Sequence, residues 1–358
     1  MSADTILVAM SGGVDSSVAA ALLVEQGHRV VGVTMKTFCY SERSGGGKTC
    51  CGLEGILDAR RVAAALDIPH YVVDMEAAFT AAVIDDFVAE YAAGRTPNPC
   101  VRCNSKTKIP GLLRHGRSLG CELIATGHYA RTVAQGDGSV DIHRATDQAK
   151  DQTYFLWGVP AAVVGRLRFP LGDLTKPEVR DYARRLGLAN ADKPESQEIC
   201  FVTGNDYSEF LAERLGDTHR SLQPGELVTP SGDTVGHHAG YARYTVGQRK
   251  GLGGGRGGAL YVIGVRPAEN QVVVGKRSEL LRSEIELDCL NWFGHPPGAR
   301  ERVLLQLRHR ARPALAEVRE IADDRIALRL HEPQLAITPG QSGAVYRDDQ
   351  LIGGGLIR

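Results

Sequence analysis

The 358-residue sequence has no surplus of either charge, since 42 Lys and Arg stand against 42 Asp and Glu. The overall basic character common among nucleic-acid binders is therefore missing, and any such contact must come from local segregation of charge. No apolar run approaches the ~20 residues that a membrane span needs, and Ile6–Met10 is too short for a secretory core. A soluble, cytoplasmic chain with no membrane partner is expected. There is no internal repeat. Apolar and charged fractions of 43% and 23% lie near ordinary globular values, which argues against disorder or a fibre. The eight cysteines are Cys39, Cys50, Cys51, Cys100, Cys103, Cys121, Cys200 and Cys289. Without a secretory leader a disulfide framework is not expected, and a clustered subset points to metal or redox use.

What is present is alternation. Ile6–Met10, Arg29–Met35, His70–Asp74 and Leu123–Thr126 read as buried strands. Val18–Gln26, Glu54–Leu66, Ala77–Ala93 and Lys106–Leu119 carry apolar residues at helical spacing. Strands and helices in turn imply a parallel, Rossmann-like α/β sheet whose ligands sit beyond the carboxyl ends of the strands. After about Asp206 the pattern changes. His219–Gly275 is rich in glycine, with a hairpin at Leu260–Val265 and Val272–Val274, and Gly253–Gly258 reads as a loop. From Leu281 onward the signal is nearly all strand. Three domains are expected: 1–206 catalytic, 207–280 linking, and 281–358 a β-barrel-like domain. Arg302, Arg308, Arg310 and Arg312, with His309, form a basic window that reads either as a solvated strand face or as an RNA contact.

The strand Ile6–Met10 runs into Ser11-Gly12-Gly13-Val14-Asp15-Ser16-Ser17 and then a helix. Two glycines allow a tight turn that points several N–H groups at one place. The helix N-terminus adds partial positive charge, and the serines add hydroxyl donors. This is an anion site. It lacks the Gly-Lys-Ser/Thr ending of a Walker loop, and it resembles the loop of the N-type ATP pyrophosphatases, enzymes that adenylate a substrate and release pyrophosphate.

A second locus is Thr96-Pro97-Asn98-Pro99-Cys100-Val101-Arg102-Cys103-Asn104, a Cys-x-x-Cys in a Pro-rich turn before a helix. A thiol near a helix N-terminus has its thiolate favoured. Cys200 lies in Ser196-Gln197-Glu198-Ile199-Cys200-Phe201. A structural zinc would need further ligands, and no second Cys-x-x-Cys exists. Inert packed thiols remain an alternative for either locus alone, and a reactive set is favoured once both are read beside the ATP loop.

With Asp58–Ala63, Ala125-Thr126-Gly127-His128-Tyr129, Lys150–Tyr154, Tyr244–Gly251 and Gly340-Gln341, these segments resemble the tRNA-specific 2-thiouridylases of MnmA type along essentially the whole chain. The resemblance implies ATP contacts at Ala9, Met10, Ser11, Gly12, Gly13, Val14, Asp15, Ser16, Met35 and Gly127. It implies Cys103 as nucleophile and Cys200 as persulfide carrier, joined transiently as a disulfide. Asn98, Pro99 and Cys100 would approach the target base. Lys150, Asp151, Gln152, Arg308 and His309 would touch tRNA, with His128 and Gln341 also on the RNA side. Implied partners are the tRNA anticodon stem-loop and a cysteine desulfurase or sulfur-relay protein, with ATP and Mg²⁺ required. Some members carry Asp where this chain has Cys100, so its role does not transfer. Cys100, Cys103 and Cys200 could alternatively hold an iron–sulfur cluster. The remaining cysteines read as ordinary thiols.

Overall fold

The computed structural model describes residues 4–38, 53–194, 199–202, 206–252 and 259–358. Cys39, Cys50, Cys51, Ser196–Glu198 and the glycine run 253–258 lie outside the described residues.

The strands begin β1 (Thr5–Ala9), β2 (Arg29–Lys36), β3 (His70–Asp74), β4 (Leu123–Thr126), β5 (Ala130–Ala134), β6 (Val140–Arg144) and β7 (Leu167–Arg168). Five of them form one parallel sheet in the order β3-β2-β1-β4-β7. Central β1 is covered on both faces, so Ile6, Leu7 and Val8 are buried, which is why it reads as a continuous apolar run rather than an alternating one. The expected Rossmann-like sheet is thus present, and its central strand leads straight into the Ser11–Ser17 loop.

The linking region supplies β8 (Gly225–Val228), β9 (Thr234–His238), β10 (Tyr261–Arg266) and β11 (Gln271–Gly275), in the order β10-β11-β8-β9. The expected hairpin is the β10–β11 pair, and Asn270 takes a left-handed φ of 56° at its turn. The last third contributes β12 (Leu281–Trp292), β13 (Arg302–Gln306), β14 (Ala314–Ile321), β15 (Arg325–Leu335), β16 (Ser342–Arg347) and β17 (Gln350–Ile357). They follow the order β12-β15-β14-β13-β16-β17, and β12 pairs again with β17, which closes the expected barrel.

One feature cuts across the expected division at residues 207 and 281. The β5–β6 hairpin, although it lies in the first segment, adds to the barrel sheet through β17, with Leu351 opposite Ile142. Arg144 fixes this junction. Its guanidinium donates to Asp151 Oδ2 at 2.8 Å and Gln306 Oε1 at 2.8 Å, and it stacks 3.7 Å from the Tyr346 ring centroid. A single apolar core joins Leu7 and Ile124 of the parallel sheet to Trp157, Tyr346 and Leu351. Among the described residues no helix is long and apolar enough to cross a membrane.

Candidate functional site

The loop after β1 is shaped by close backbone approaches. Gly12 sits at φ 77°, and a Cβ there would lie 2.3 Å from the Gly55 carbonyl oxygen. Ser11 N donates to Ser16 Oγ at 3.1 Å, while the Ser16 and Ser17 hydroxyls both donate to Gly13 O at 3.0 Å. The helix α1 (Val14–Glu25) starts on Gly13, which offers no side-chain cap to the first-turn N–H groups. An uncapped helix start beside hydroxyls suits a polyanion. Gly127, just after β4, is packed against this turn so closely that a Cβ would meet Ser16 N at 2.7 Å. Met10 is buried and Met35 half-buried at the same sheet edge.

The thiol locus begins on Asn98, whose Oδ1 accepts from Val101 N at 3.3 Å and caps a turn opened by Pro99. A π-helical stretch, Cys103–Lys108, follows before regular helix resumes at Ile109–Ser118. Such a bulge turns successive side chains off the 3.6-residue stripe and is frequent at functional sites. Cys100 keeps solvent-accessible surface as a residue, while the desolvation of its thiol among packed neighbours pushes the pKa up against the opposing charge of Lys108. A raised pKa favours the protonated thiol, the opposite of the shift expected for a thiol near a helix start.

His128 follows Gly127 and pairs through Nδ1 with Thr126 Oγ1 at 2.7 Å. Burial, with Lys108 nearby, holds its pKa well below the ordinary histidine value, so the ring is neutral. The same lysine thus acts on both Cys100 and His128. Cys103 and Cys200 border one aromatic cluster, and Phe201 anchors the second of them by edge contacts with Phe79 and Phe87 at 5.8 and 5.2 Å. Among the described residues no three Cys, His, Asp or Glu side chains are gathered as a metal-holding group. The three-thiolate cluster site considered for Cys100, Cys103 and Cys200 is not formed in this arrangement. A cleft of about 510 Å³ runs along the same helix between Arg102, Trp157 and Asn291, but neither Cys100 nor Cys103 lines it.

Family comparisons divide the chain into three matched segments. Residues 4–204 match the tRNA methyl transferase HUP domain, 208–276 the tRNA methyl transferase PRC-barrel domain, and 282–357 the aminomethyltransferase beta-barrel domain. The tRNA-specific 2-thiouridylase MnmA of Geobacter metallireducens is 48% identical over 356 residues, covering 98% of this chain and 96% of its own. That of Carboxydothermus hydrogenoformans is 48% identical over 360 residues, covering 98% and 97%. The chain belongs to the MnmA family of tRNA-specific 2-thiouridylases. Family membership makes it a tRNA-uridine 2-sulfurtransferase. Among solved structures, a 4-thiouridine synthetase–RNA complex with bound ATP shows a loose likeness, with 14% identity, a TM-score of 0.36, and 60% and 51% of the two chains covered.

In this MnmA-family chain the residues expected on the RNA side fall into two groups. Arg308 is exposed, as are Arg302, Arg310 and Arg312 of the same basic window, and half-buried His309 stacks on Phe155 with centroids 4.3 Å apart. Asp151, by contrast, is buried and already accepts from Arg144, Ala145 N and Thr153 Oγ1. Its carboxylate is committed to the domain junction and is not offered to an external partner. Gln152 Oε1 accepts from Tyr129 N at 3.0 Å, next to His128. Gln341 donates from Nε2 to the carbonyls of Thr96 and Pro97, both at 3.0 Å, so the barrel holds the segment leading to Cys100.

The sequence reading missed Lys176 and Asn190. Lys176 Nζ reaches both oxygens of Asp15, and Asn190 Nδ2 donates to Gly12 O and Ser17 Oγ at 3.0 and 2.8 Å. A signal for the first was present: Thr175-Lys176-Pro177-Glu178 is a capping-box pattern with proline near the helix start.

Proposed function

We propose that this protein thiolates carbon 2 of the wobble uridine of tRNA in an ATP-dependent reaction, with sulfur carried by a Cys200 persulfide. The observation that carries the reading is the Gly127–His128 step. Gly127 packs against the phosphate loop, and the next residue, His128, and Cys100 both lie within reach of the Lys108 charge, which supports a common neighbourhood for the ATP cradle and the thiol locus.

The fit to ATP rests on the glycine-built turn, the uncapped start of α1 and the serine hydroxyls, which would cradle the pyrophosphate portion. Mg²⁺ bound to the phosphate oxygens would neutralise charge there. Uracil oxygen 2 attacks the α-phosphorus, an O–P bond forms, and pyrophosphate leaves. The oxygen is now a good leaving group. The outer persulfide sulfur bonds to carbon 2, and AMP departs with the oxygen. Cys103 thiolate then attacks the inner sulfur of Cys200, leaving C=S on the base and a Cys103–Cys200 disulfide. Two electrons have gone to the transferred sulfur, and an external thiol must reduce the disulfide before the next turnover. A cysteine desulfurase or sulfur-relay protein would reload Cys200. Turning the base out of the loop costs a few kcal/mol, offset by contacts from exposed Arg308 and its neighbours.

Nucleoside mass spectrometry of tRNA incubated with enzyme, ATP, Mg²⁺ and a persulfide source should show one oxygen exchanged for sulfur. Equal product from wild type and Cys200→Ser would overturn the sulfur route.

A further inference from the structure

We propose that Lys176 is a further residue of the ATP site, a shared counter-ion that neutralises Asp15 in the empty loop and the departing pyrophosphate when the loop is filled. The inference rests on reading Ser11–Ser17 as the pyrophosphate cradle. Lys176 is only 7% exposed, and a cation so removed from water must be paired. Its Nζ donates to Asp15 Oδ1 at 2.7 Å and Oδ2 at 2.8 Å, and Tyr129 OH donates to Oδ1 at 3.0 Å. Asp15 lies in the first turn of α1, within the loop segment itself, and its side chain is 31% exposed while that of Lys176 is 8% exposed, so the pair sits at the border of the loop with its carboxylate partly in reach of solvent.

That placement poses an electrostatic problem. A carboxylate at an anion site repels the anion, and an uncompensated Asp15 would oppose the chemistry of its own loop. Lys176 cancels that charge at hydrogen-bond distance. Its root is fixed independently, because Lys176 N donates to Asp147 Oδ2 at 2.9 Å and Thr175 N donates to Glu178 Oε2 at 2.7 Å. The ammonium is thus carried to Asp15 on a long stem from a held backbone. As pyrophosphate arrives, the lysine can serve both anions.

A mere staple and a counter-ion predict different signs. Pyrophosphate binding is measured by calorimetry in EDTA, without divalent metal, on the full-length protein. Asp15→Asn should bind pyrophosphate about tenfold tighter, because a repelling charge is gone and Lys176 is released; tenfold is about 1.4 kcal/mol. Lys176→Met should bind it at least about tenfold more weakly, with AMP affinity within about twofold of wild type, and Lys176→Arg should stay close to wild type. If Lys176→Met does not fold, the uncharged double variant Asp15→Asn/Lys176→Met should bind at least about tenfold more weakly than Asp15→Asn. Weakening by both single substitutions, or no effect of removing Lys176, would overturn the proposal. A wild-type protein that binds neither pyrophosphate nor ATP would instead overturn the reading of the loop.

Discussion

Gly127→Ala tests whether the sheet edge and the phosphate loop are one rigid unit. The added methyl would lie 2.7 Å from Ser16 N, 2.8 Å from the Asp15 carbonyl carbon and 3.0 Å from Ser16 Cα. Ordinary contact begins near 3.5 Å, so roughly 0.7 Å or more of separation is required. All three atoms are backbone in the first turn of α1, and no side-chain rotation can relieve them. Two consequences follow. Overpacking of this kind costs about 1–3 kcal/mol, read as a fall in melting temperature of roughly 2–4 °C per kcal/mol. Displacing the cradle by a large fraction of an ångström should also cost about 10²-fold in kcat/KM for ATP, since misplacement by ~1 Å is felt at that level. The assay is tRNA-dependent pyrophosphate release, with a thermal melt on the same sample. Gly136→Ala is the control, because a Cβ there meets nothing within 4 Å. A Gly127→Ala enzyme with kcat/KM within twofold of wild type and an unchanged melt would refute the close packing on which the site reading depends.

Gln341→Ala removes two hydrogen bonds to the Thr96 and Pro97 carbonyls; about 1–3 kcal/mol of stability should be lost, and turnover should fall more than ATP affinity. Asp151→Asn breaks a buried ion pair with Arg144. It should cost about 3–5 kcal/mol in urea denaturation without any RNA present, an effect absent if Asp151 served only to touch tRNA. His70, His128, His238 and His309 are all held below the ordinary histidine pKa chiefly by burial. Their unfolded forms take up protons near pH 6.5 that the folded forms refuse, so stability should be complete above that pH and decline as pH falls below it. His128→Gln should flatten that decline in denaturant titrations between about pH 6.5 and 5; an unchanged slope would mean that His128 protonates freely in the fold.

The parallel sheet was legible because buried strands flanked by helices leave unbroken apolar runs: His70–Asp74 and Leu123–Thr126 are strands with those bounds. Helix starts were harder. The helix expected from Lys106 begins at Pro99, since the Pro-rich turn hides its start and the π-helical stretch breaks the 3.6-residue stripe. The β5–β6 hairpin was missed, although Asp137-Gly138 is a turn signal. Its strands are five residues each and bury few side chains deeply, and the barrel strand that β6 pairs with, β17, lies about two hundred residues further along the sequence. The ATP loop was readable as a local motif. Lys176 and Asn190 were not read with it, because they reach the loop from helix and turn segments 161 and 178 residues away.

The junction of β6 with β17 also sets an order on synthesis. His143 meets Asp349 at a sequence separation of 206 residues, and at about 5–20 residues per second the ribosome needs roughly 10–40 s to supply them. Until then the hairpin carries an open edge and Arg144 lacks Gln306 and Tyr346. A chain interrupted before Asp349 would leave the parallel-sheet segment with an unfinished border, exposed to proteases and to other unpaired strands. Closure of this border therefore waits on β17: the hairpin gains its barrel partner only once Gln350 and Leu351 have been made.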